Sequence, residues 1–361
     1  MQLRGVSLLI VESGGDRRRA HRIATGLGLL GAVIIMAGCA PEQPMPVPTP
    51  TYTSTYQTPA PTALAPLTGE IIAASTLTTP AITAKVDNHP AARPQVGLDR
   101  ADIVFEELVE GGLTRYVAVW QSDVPDEIGP VRSIRPMDPD IISPFGGIVA
   151  YSGGQYRFVQ LMLDTPVYNA IHGNRDTADT FYRTKTKDSP HDVLVRAPLV
   201  IGQHLDLPAP AQQFAYSLDA SSSTAAKEGV PTAGQNIVFG APSTPSWLWD
   251  PAQSASLRFM TGGAPDMDSV GTQLKATNVV VLRVGVSFGL GLPKTEIIGG
   301  GEAWVSSNGS TVHGSWAKGF QSDRIRLVDD NGVVIRLAPG NTWIELVPSS
   351  GSVDIVAAPT Q

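Results

Sequence analysis

A charge-dense span between residues 87 and 138 holds the side chains whose types suit chemistry best. Only 16% of all residues in the chain are charged, yet this span combines carboxylates, guanidinium groups and an imidazole. Arginines fork onto carboxylates or phosphates, and the acids and the histidine suit proton transfer or contacts with sugar hydroxyls. The sequence therefore predicts a polar cleft. Its candidate ligand-binding residues are Asp87, His89, Arg93, Glu106, Glu110, Arg115, Arg132 and Arg135.

Two other interpretations of this span stay open at the level of sequence. The charges can pair with one another and fix long loops onto a sheet, as buried arginines and carboxylates often do. Alternatively, paired carboxylates can cleave or transfer a glycan, in which case Asp87, His89, Glu106 or Glu110 are the candidate acids and bases. Carboxylate pairs are also available among Glu106, Glu107, Glu110 and Asp138. The separation of the carboxylates decides that question, and sequence does not give it.

A metal site is the remaining chemical option for this span. Asp87, His89, Glu106 and His191 carry oxygen and imidazole donors that suit several divalent ions. The spacing of the histidines does not match the HxxxH or HExxH patterns that place two imidazoles on one face of a helix. We therefore predict no metal site and no cofactor.

The elements that must position these residues are strands and short helices. Residues 82–86 and 114–120 are rich in β-branched and apolar residues and predict two strands, the first of which ends at Asp87. Residues 148–151 predict a buried strand that is followed by Ser152-Gly153-Gly154-Gln155 and by helical spacing over 156–163. A glycine turn before a helix is a weak signal for anion binding. Residues 75–215 are thus expected to form a mixed α/β domain.

The remainder of the folded chain has a β pattern. Residues 216–236 are rich in Ala, Ser, Pro and Thr and predict a connection. Residues 237–357 contain strand-like runs at 279–284 and 342–347 and a hairpin around Asn308-Gly309. The predicted fold class is α+β, with a mixed α/β first domain followed by a smaller, mainly antiparallel β domain. The tryptophans of residues 237–357 are expected to fill the core of the β domain. Exposed tryptophans can alternatively stack on sugars.

The N-terminal residues have the features of an export signal. A basic cluster that includes Arg17 to Arg19 precedes an apolar run over 23–36, and Met36-Ala37-Gly38-Cys39 follows. Small residues before a cysteine are typical of lipoprotein processing, so residues 1–39 are predicted to be a signal peptide with lipidation at Cys39. Residues 40–74, rich in Pro and Thr, are predicted to be a linker.

The net charge of −7 argues against a nucleic-acid partner.

Several ordered motifs resemble the YerB-like lipoproteins, which carry a two-part domain of unknown function (DUF3048 N- and C-terminal parts). The resemblance implies a two-part architecture after the linker and transfers no reaction. The matching segments are Lys85-Val86-Asp87-Asn88-His89-Pro90, Ala101-Asp102-Ile103-Val104-Phe105-Glu106, Glu110-Gly111-Gly112-Leu113-Thr114-Arg115, Ile128-Gly129-Pro130-Val131-Arg132-Ser133-Ile134-Arg135-Pro136, Ser152-Gly153-Gly154-Gln155, Asn278-Val279-Val280-Val281 and Gly340-Asn341-Thr342-Trp343-Ile344-Glu345.

Three functional hypotheses follow from these patterns. The first is a lipoprotein on the extracytoplasmic side of the cell membrane, which touches the membrane through its lipid anchor and binds a polar envelope ligand such as a cell-wall glycan or peptide. The second is an envelope hydrolase or transferase that uses the Asp87, His89 and Glu106 cluster. The third is a scaffold for membrane-bound partners.

Overall fold

Strands dominate the folded chain, as its β-branched runs predict. The computed structural model describes residues 55–359. The strands are β1 (Thr62–Leu64), β2 (Ile71–Ala73), β3 (Ile82–Asp87), β4 (Ile103–Leu108), β5 (Thr114–Trp120), β6 (Ile148–Tyr151), β7 (Tyr168–Ile171), β8 (Phe181–Arg183), β9 (Val193–Val195), β10 (Val230–Val238), β11 (Ser246–Asp250), β12 (Ala255–Phe259), β13 (Lys275–Ala276), β14 (Asn278–Ser287), β15 (Lys294–Glu296), β16 (Gly299–Ser307), β17 (Ser310–Lys318), β18 (Arg326–Asp329), β19 (Thr342–Pro348) and β20 (Ser352–Ala357). The α-helices are α1 (Asp138–Ile142), α2 (Tyr156–Leu163), α3 (Ala197–Gln203) and α4 (Thr224–Glu228).

One large mixed sheet contains sixteen of these strands. Thirteen follow the order β13-β12-β11-β10-β17-β16-β14-β19-β4-β5-β3-β6-β7, while β15, β18 and β20 pair with β14, β17 and β10. Strands make up 40% of the structure and helices 15%. The predicted α+β class is confirmed in part, because helices and strands occur together but the fold is mostly a β-sheet.

Strand β19 joins the two regions that the sequence separates. It runs parallel to β14 on one side and parallel to β4 on the other, so that Glu345 lies opposite Val281 and Glu106. Strands of both predicted domains therefore share one sheet. Strand β10 begins at Val230, inside the predicted connection of 216–236. The division into domains at that connection stays a prediction.

Alternation along the central strands gives the sheet two apolar faces. On β4, Phe105 packs into one hydrophobic cluster and Val104 into the other. On β5, Val117 and Tyr116 divide in the same way. A strand with a period of two exposes successive side chains to opposite faces. The polar residues near the strand ends are therefore also sorted into two groups, one on each side of the sheet.

The predicted linker of 40–74 is wrong in its last part. Residues 40–54 lie outside the described range, but β1 and β2 pair as a hairpin from Thr62 onward. Leu67, between them, is 1% exposed and belongs to the core, and its carbonyl oxygen accepts a hydrogen bond from the Tyr216 hydroxyl. The last part of the Pro- and Thr-rich segment is therefore packed against the folded chain. Within residues 55–359, no helix is long and apolar enough to span a membrane.

Candidate functional site

A polar cavity of about 220 Å³ opens where β3 ends and β5 begins. These strands are antiparallel, and Asp87 at the end of β3 lies opposite Arg115 near the start of β5. We call this space the anion cavity. Six of the eight predicted site residues line it, and its lining residues are Asp87, His89, Val109, Glu110, Leu113, Thr114, Arg115, Arg132 and Arg135.

Asp87 lies at the centre of the contacts in the anion cavity. Its Oδ2 is 2.6 Å from Nδ1 of His191 and 3.0 Å from Nε of Arg132, and its Oδ1 accepts the backbone N–H of His89 at 3.1 Å. The imidazole of His89 stacks on that of His191 with centroids 4.4 Å apart. His191 comes from the loop between β8 and β9, so a distant part of the chain holds the Asp87 carboxylate from outside the cavity lining.

Arg135 and Glu110 form a two-pronged ion pair at another side. Nη2 of Arg135 lies 2.7 Å from one carboxylate oxygen of Glu110, and Nε lies 2.9 Å from the other. Burial works to raise the pKa of Glu110, but the hydrogen bonds and charge of Arg135, a backbone hydrogen bond and the charge of Arg115 together hold that pKa below its usual value. Both groups are therefore charged at neutral pH, and each neutralises the other.

Arg115 is a buried guanidinium without an ion pair in the described part of the chain. It is 9% exposed, and its Nη1 donates to the backbone carbonyl of Ser133 at 3.0 Å. Burial, together with repulsion from Arg135, lowers the pKa of Arg115 to about 10. A charge taken out of water without a counter-charge is unfavourable. An anion entering this cavity would relieve that cost.

Arg132 also has unused hydrogen-bonding capacity. Its Nε is buried near Asp87, but the N–H bond does not point at the carboxylate, so the contact is an ion pair without a directed hydrogen bond. The cavity holds three guanidinium groups and only two carboxylates, Asp87 and Glu110. The guanidinium and carboxylate groups of its lining therefore sum to one excess positive charge.

A second cavity of about 230 Å³ adjoins the anion cavity and shares the side chains of Leu113 and Thr114 with it. We call it the second cavity. The two remaining predicted residues, Arg93 and Glu106, line it. Its lining residues are Asn88, Pro90, Arg93, Glu106, Leu113, Thr114, Pro242, Ser243, Pro245, Arg258, Met260 and Thr261.

Arg258 of β12 lies at the inner end of the second cavity and is 1% exposed. Its guanidinium contacts three carboxylates: Glu106, Asp266 through Nε at 3.0 Å, and Glu345 through Nη1 at 2.9 Å. The ring of Trp343 lies 4.8 Å from its guanidinium carbon, so the cation also faces an aromatic surface. The guanidinium of Arg258 thus joins β12 to β4, to β19 and to the loop that carries Asp266.

Two family models match the chain. Residues 67–206 match the N-terminal domain, and residues 219–344 the C-terminal domain, of a protein family of unknown function (DUF3048). The chain belongs to this family. The resemblance that the sequence motifs carry is thereby confirmed.

The DUF3048 chain is similar to one curated protein and one solved structure. It is 24% identical over 302 residues to the Bacillus subtilis (strain 168) protein named "Putative lipoprotein YerB", covering 81% of this chain and 88% of that protein. It also superimposes on the crystal structure of the YerB protein from Bacillus subtilis with a TM-score of 0.70. That match has 23% identity and covers 81% of this chain and 99% of the other. The two chains share a fold.

Both DUF3048 domains contribute to the site. All eight predicted residues lie in the segment matched by the N-terminal domain, whereas Arg258 and Asp266 lie in the C-terminal one. Arg93 of the first domain pairs with Asp266 of the second, as Glu106 does with Arg258. The second cavity therefore exists only where the two domains meet in the shared sheet.

Carboxylates considered for hydrolysis are engaged elsewhere. Both oxygens of Glu106 are bonded, one to Thr114 at 2.6 Å and the other to Arg258. Glu107 and Asp138 lie on the opposite face, where both contact the buried amine of Lys85, whose pKa burial lowers to about 8. Of the acids named for this role, Glu110 lines the anion cavity, together with Asp87.

One serine motif escaped the sequence reasoning. Gly285-Val286-Ser287-Phe288-Gly289 has the Gly-x-Ser-x-Gly spacing of a nucleophile elbow. An elbow requires a strand, a sharp turn and a helix. Here β14 ends at Ser287 and continues into β15, and the Ser287 hydroxyl donates to Glu296 at 2.5 Å. The motif is part of a hairpin and not a catalytic elbow.

The remaining sequence expectations concern tryptophans and metals. Trp247, Trp316 and Trp343 are buried, which agrees with the core-filling interpretation, whereas Trp249 and Trp304 are half-buried. The part of the chain that the structure describes has no group of three or more His, Cys, Asp or Glu side chains placed to hold a metal ion. The Ser152-Gly153-Gly154-Gln155 turn precedes α2 as expected, but those residues do not line either cavity.

Proposed function

We propose that the chain is a lipid-anchored protein at the outer face of a cytoplasmic membrane, where its anion cavity binds a polar envelope ligand, a glycan or a peptide that carries a negative group. Support for the anchor comes from Met36-Ala37-Gly38-Cys39 after the apolar run, which lies outside the described residues, and from the lipoprotein name of the Bacillus subtilis relative. Two lipid signals or chains are needed for stable anchoring.

Replacing Cys39 with alanine tests the anchor. We expect wild-type protein to sediment with the membranes of the expressing bacterium and to be released by detergent. Cys39→Ala cannot carry the acyl chains, so a smaller fraction of it is expected to sediment with the membranes. Metabolic labelling with a radioactive fatty acid measures the modification directly. Equal labelling of wild type and variant would contradict lipidation at this residue.

The observation that carries the binding proposal is the excess of positive charge beside a buried, unpaired guanidinium. Arg115 lacks a carboxylate partner in the described structure, and Arg132 has no directed hydrogen bond at its buried Nε. A carboxylate or phosphate in the cavity accepts charge-assisted hydrogen bonds from such donors, and these are about twice as strong as neutral ones. The cavity thus offers donors and an excess positive charge that a ligand anion would satisfy.

Arg132→Gln tests this proposal, because it keeps much of the side chain and removes its charge. Soluble peptidoglycan fragments are titrated into the full-length protein in detergent and followed by calorimetry. Hydrogen bonds to charged groups contribute about 1.5–3 kcal/mol, so we expect a loss of affinity of roughly 10-fold to 100-fold.

Arg100→Gln is the matched control for that titration. Arg100 pairs with Asp123 on the surface, and both side chains are well exposed. It does not line either cavity. We expect its affinity to stay within twofold of wild type. Equal affinities of Arg132→Gln and wild type would remove the anion cavity as the binding site.

A further inference from the structure

We propose that the two adjoining cavities together bind the C-terminal end of a peptide, with its carboxylate in the anion cavity and a small apolar side chain in the second cavity. This inference rests on the proposed function and names the ligand class of the same site. The first observation is the common wall: Leu113 and the next residue, Thr114, line both cavities. The two spaces therefore lie side by side at these residues, so that one short ligand that passes over them can reach both.

The lining of the second cavity suits an apolar group. Its apolar members are three prolines, Pro90, Pro242 and Pro245, together with Leu113 and Met260. Proline has no backbone N–H and methionine adapts its unbranched side chain to a guest. An aliphatic side chain in this space gains from removal of its surface from water, at about 25 cal/mol per Å².

The charged groups around the second cavity leave no excess positive charge, unlike those of the anion cavity. Arg93 and Arg258 face three carboxylates, Glu106, Asp266 and Glu345, and each of these groups has a partner of opposite sign within the cluster. A second ligand charge would have to be buried without a counter-charge, which is unfavourable. The pair of cavities therefore selects a ligand with one anionic end next to an uncharged group.

The same linings favour a peptide over a glycan. Aromatic side chains offer large apolar faces on which sugar rings can stack. Among the residues that line the two cavities there is no tryptophan, tyrosine or phenylalanine, and the His89 imidazole is already stacked on His191. Each cavity measures about 220 to 230 Å³, and together they fall within the range of about 300–1,000 Å³ that small-molecule sites occupy. That space suits the end of a short peptide.

The test compares three probes on the full-length protein by calorimetry: N-acetyl-Ala-Ala, its C-terminal amide, and acetate. N-acetyl-Ala-Ala is expected to bind at least tenfold more tightly than either acetate or the amide. Acetate has no side chain for the second cavity, and the amide has no carboxylate for the anion cavity. In Met260→Trp the larger ring occupies the second cavity, so the preference for N-acetyl-Ala-Ala over acetate is expected to fall to about one.

Met267→Trp is the matched control, since Met267 is exposed and lines neither cavity. We expect it to keep the preference of wild type. If Met260→Trp does not fold, N-acetyl-Gly-Gly on the wild-type protein decides, because it lacks the methyl groups and should bind several-fold more weakly than N-acetyl-Ala-Ala.

The outcomes separate this inference from the proposed function. Probe binding that depends on Arg132 but shows no effect of Met260→Trp or of the alanine methyl groups overturns the peptide-end inference and leaves the anion site. N-acetylmuramic acid binding more tightly than N-acetyl-Ala-Ala also overturns it, in favour of a glycan. If the affinity for the probes is unchanged in Arg132→Gln, both the peptide-end inference and the proposed function are overturned.

Discussion

Replacing Arg258 with alanine is expected to lower the free energy of unfolding by about 3–5 kcal/mol, the typical cost of removing one partner from a buried ion pair. Without the guanidinium, Glu106, Asp266 and Glu345 stay buried and lose the cation that contacts all three. The rings of Trp247 and Trp343 also lose a packed neighbour. The free energy of unfolding of a domain is typically about 5–15 kcal/mol, so this one change removes a large part of the stability.

Urea denaturation followed by tryptophan fluorescence measures this loss. Arg100→Ala is the matched control, because its exposed ion pair with Asp123 is worth only about 0–1 kcal/mol. A loss below about 1 kcal/mol in Arg258→Ala, similar to that of the control, would show that the Arg258 cluster does not hold the two DUF3048 domains in one sheet.

The free energy of unfolding of Glu345→Gln, relative to that of wild type, is expected to increase as the pH rises from 5 to 8. Burial, and then repulsion from Glu106, raises the pKa of Glu345 to about 8. Two arginines face three carboxylates in the cluster, so one protonated carboxyl balances the charges. Oε2 of Glu345 also receives no hydrogen bond among the described residues, which further disfavours its charged form.

The direction of this effect follows from the two pKa values. A carboxyl with a raised folded-state pKa stabilises the fold below its unfolded pKa of about 4.5, and this contribution is lost as the pH rises towards 8. Glutamine imitates the protonated acid at every pH and keeps the Oε1 that accepts from Trp247 at 2.7 Å. The stability difference between variant and wild type should therefore grow by an amount on the order of 3 kcal/mol between pH 5 and 8.

Chemical denaturation of both proteins at pH 5, 6, 7 and 8 gives that difference directly. Lys85, whose pKa is lowered to about 8, gains stability only as the pH rises from about 8 towards 10.5, and it is present in both proteins. Glu228→Gln, an exposed change on α4, serves as the control and should show a pH-independent difference. A constant difference for Glu345→Gln would mean that this carboxyl is charged in the fold.

Local elements could be predicted from the sequence because their signals are local. The runs at 82–86, 114–120 and 148–151 correspond to β3, β5 and β6, and helical spacing over 156–163 corresponds to α2. Asn308 and Gly309 both have the positive φ values that a two-residue hairpin requires. Of the six candidate residues that line the anion cavity, Asp87 and His89 lie at the end of β3 and Arg115 near the start of β5, whereas Arg132 and Arg135 come from the loop between β5 and α1.

The long-range partners could not be predicted in the same way. His191 reaches Asp87 across 104 residues, and Arg258 reaches Glu106 across 152. The parallel alignment of β19 with β4 places Glu345 beside Glu106 at the same guanidinium, and no local pattern indicates that alignment. A usable signal was nevertheless present: Glu345 interrupts the apolar run of β19, and a charge inside such a strand indicates a buried partner.

The most direct test of the anion cavity is a crystal structure of the protein grown with N-acetyl-Ala-Ala. The carboxylate of the peptide is expected between Arg115 and Arg132, with an oxygen within about 2.7–3.2 Å of a guanidinium nitrogen of each. Density for the peptide elsewhere on the protein, with both arginines keeping only their present partners, would contradict the assignment of this cavity.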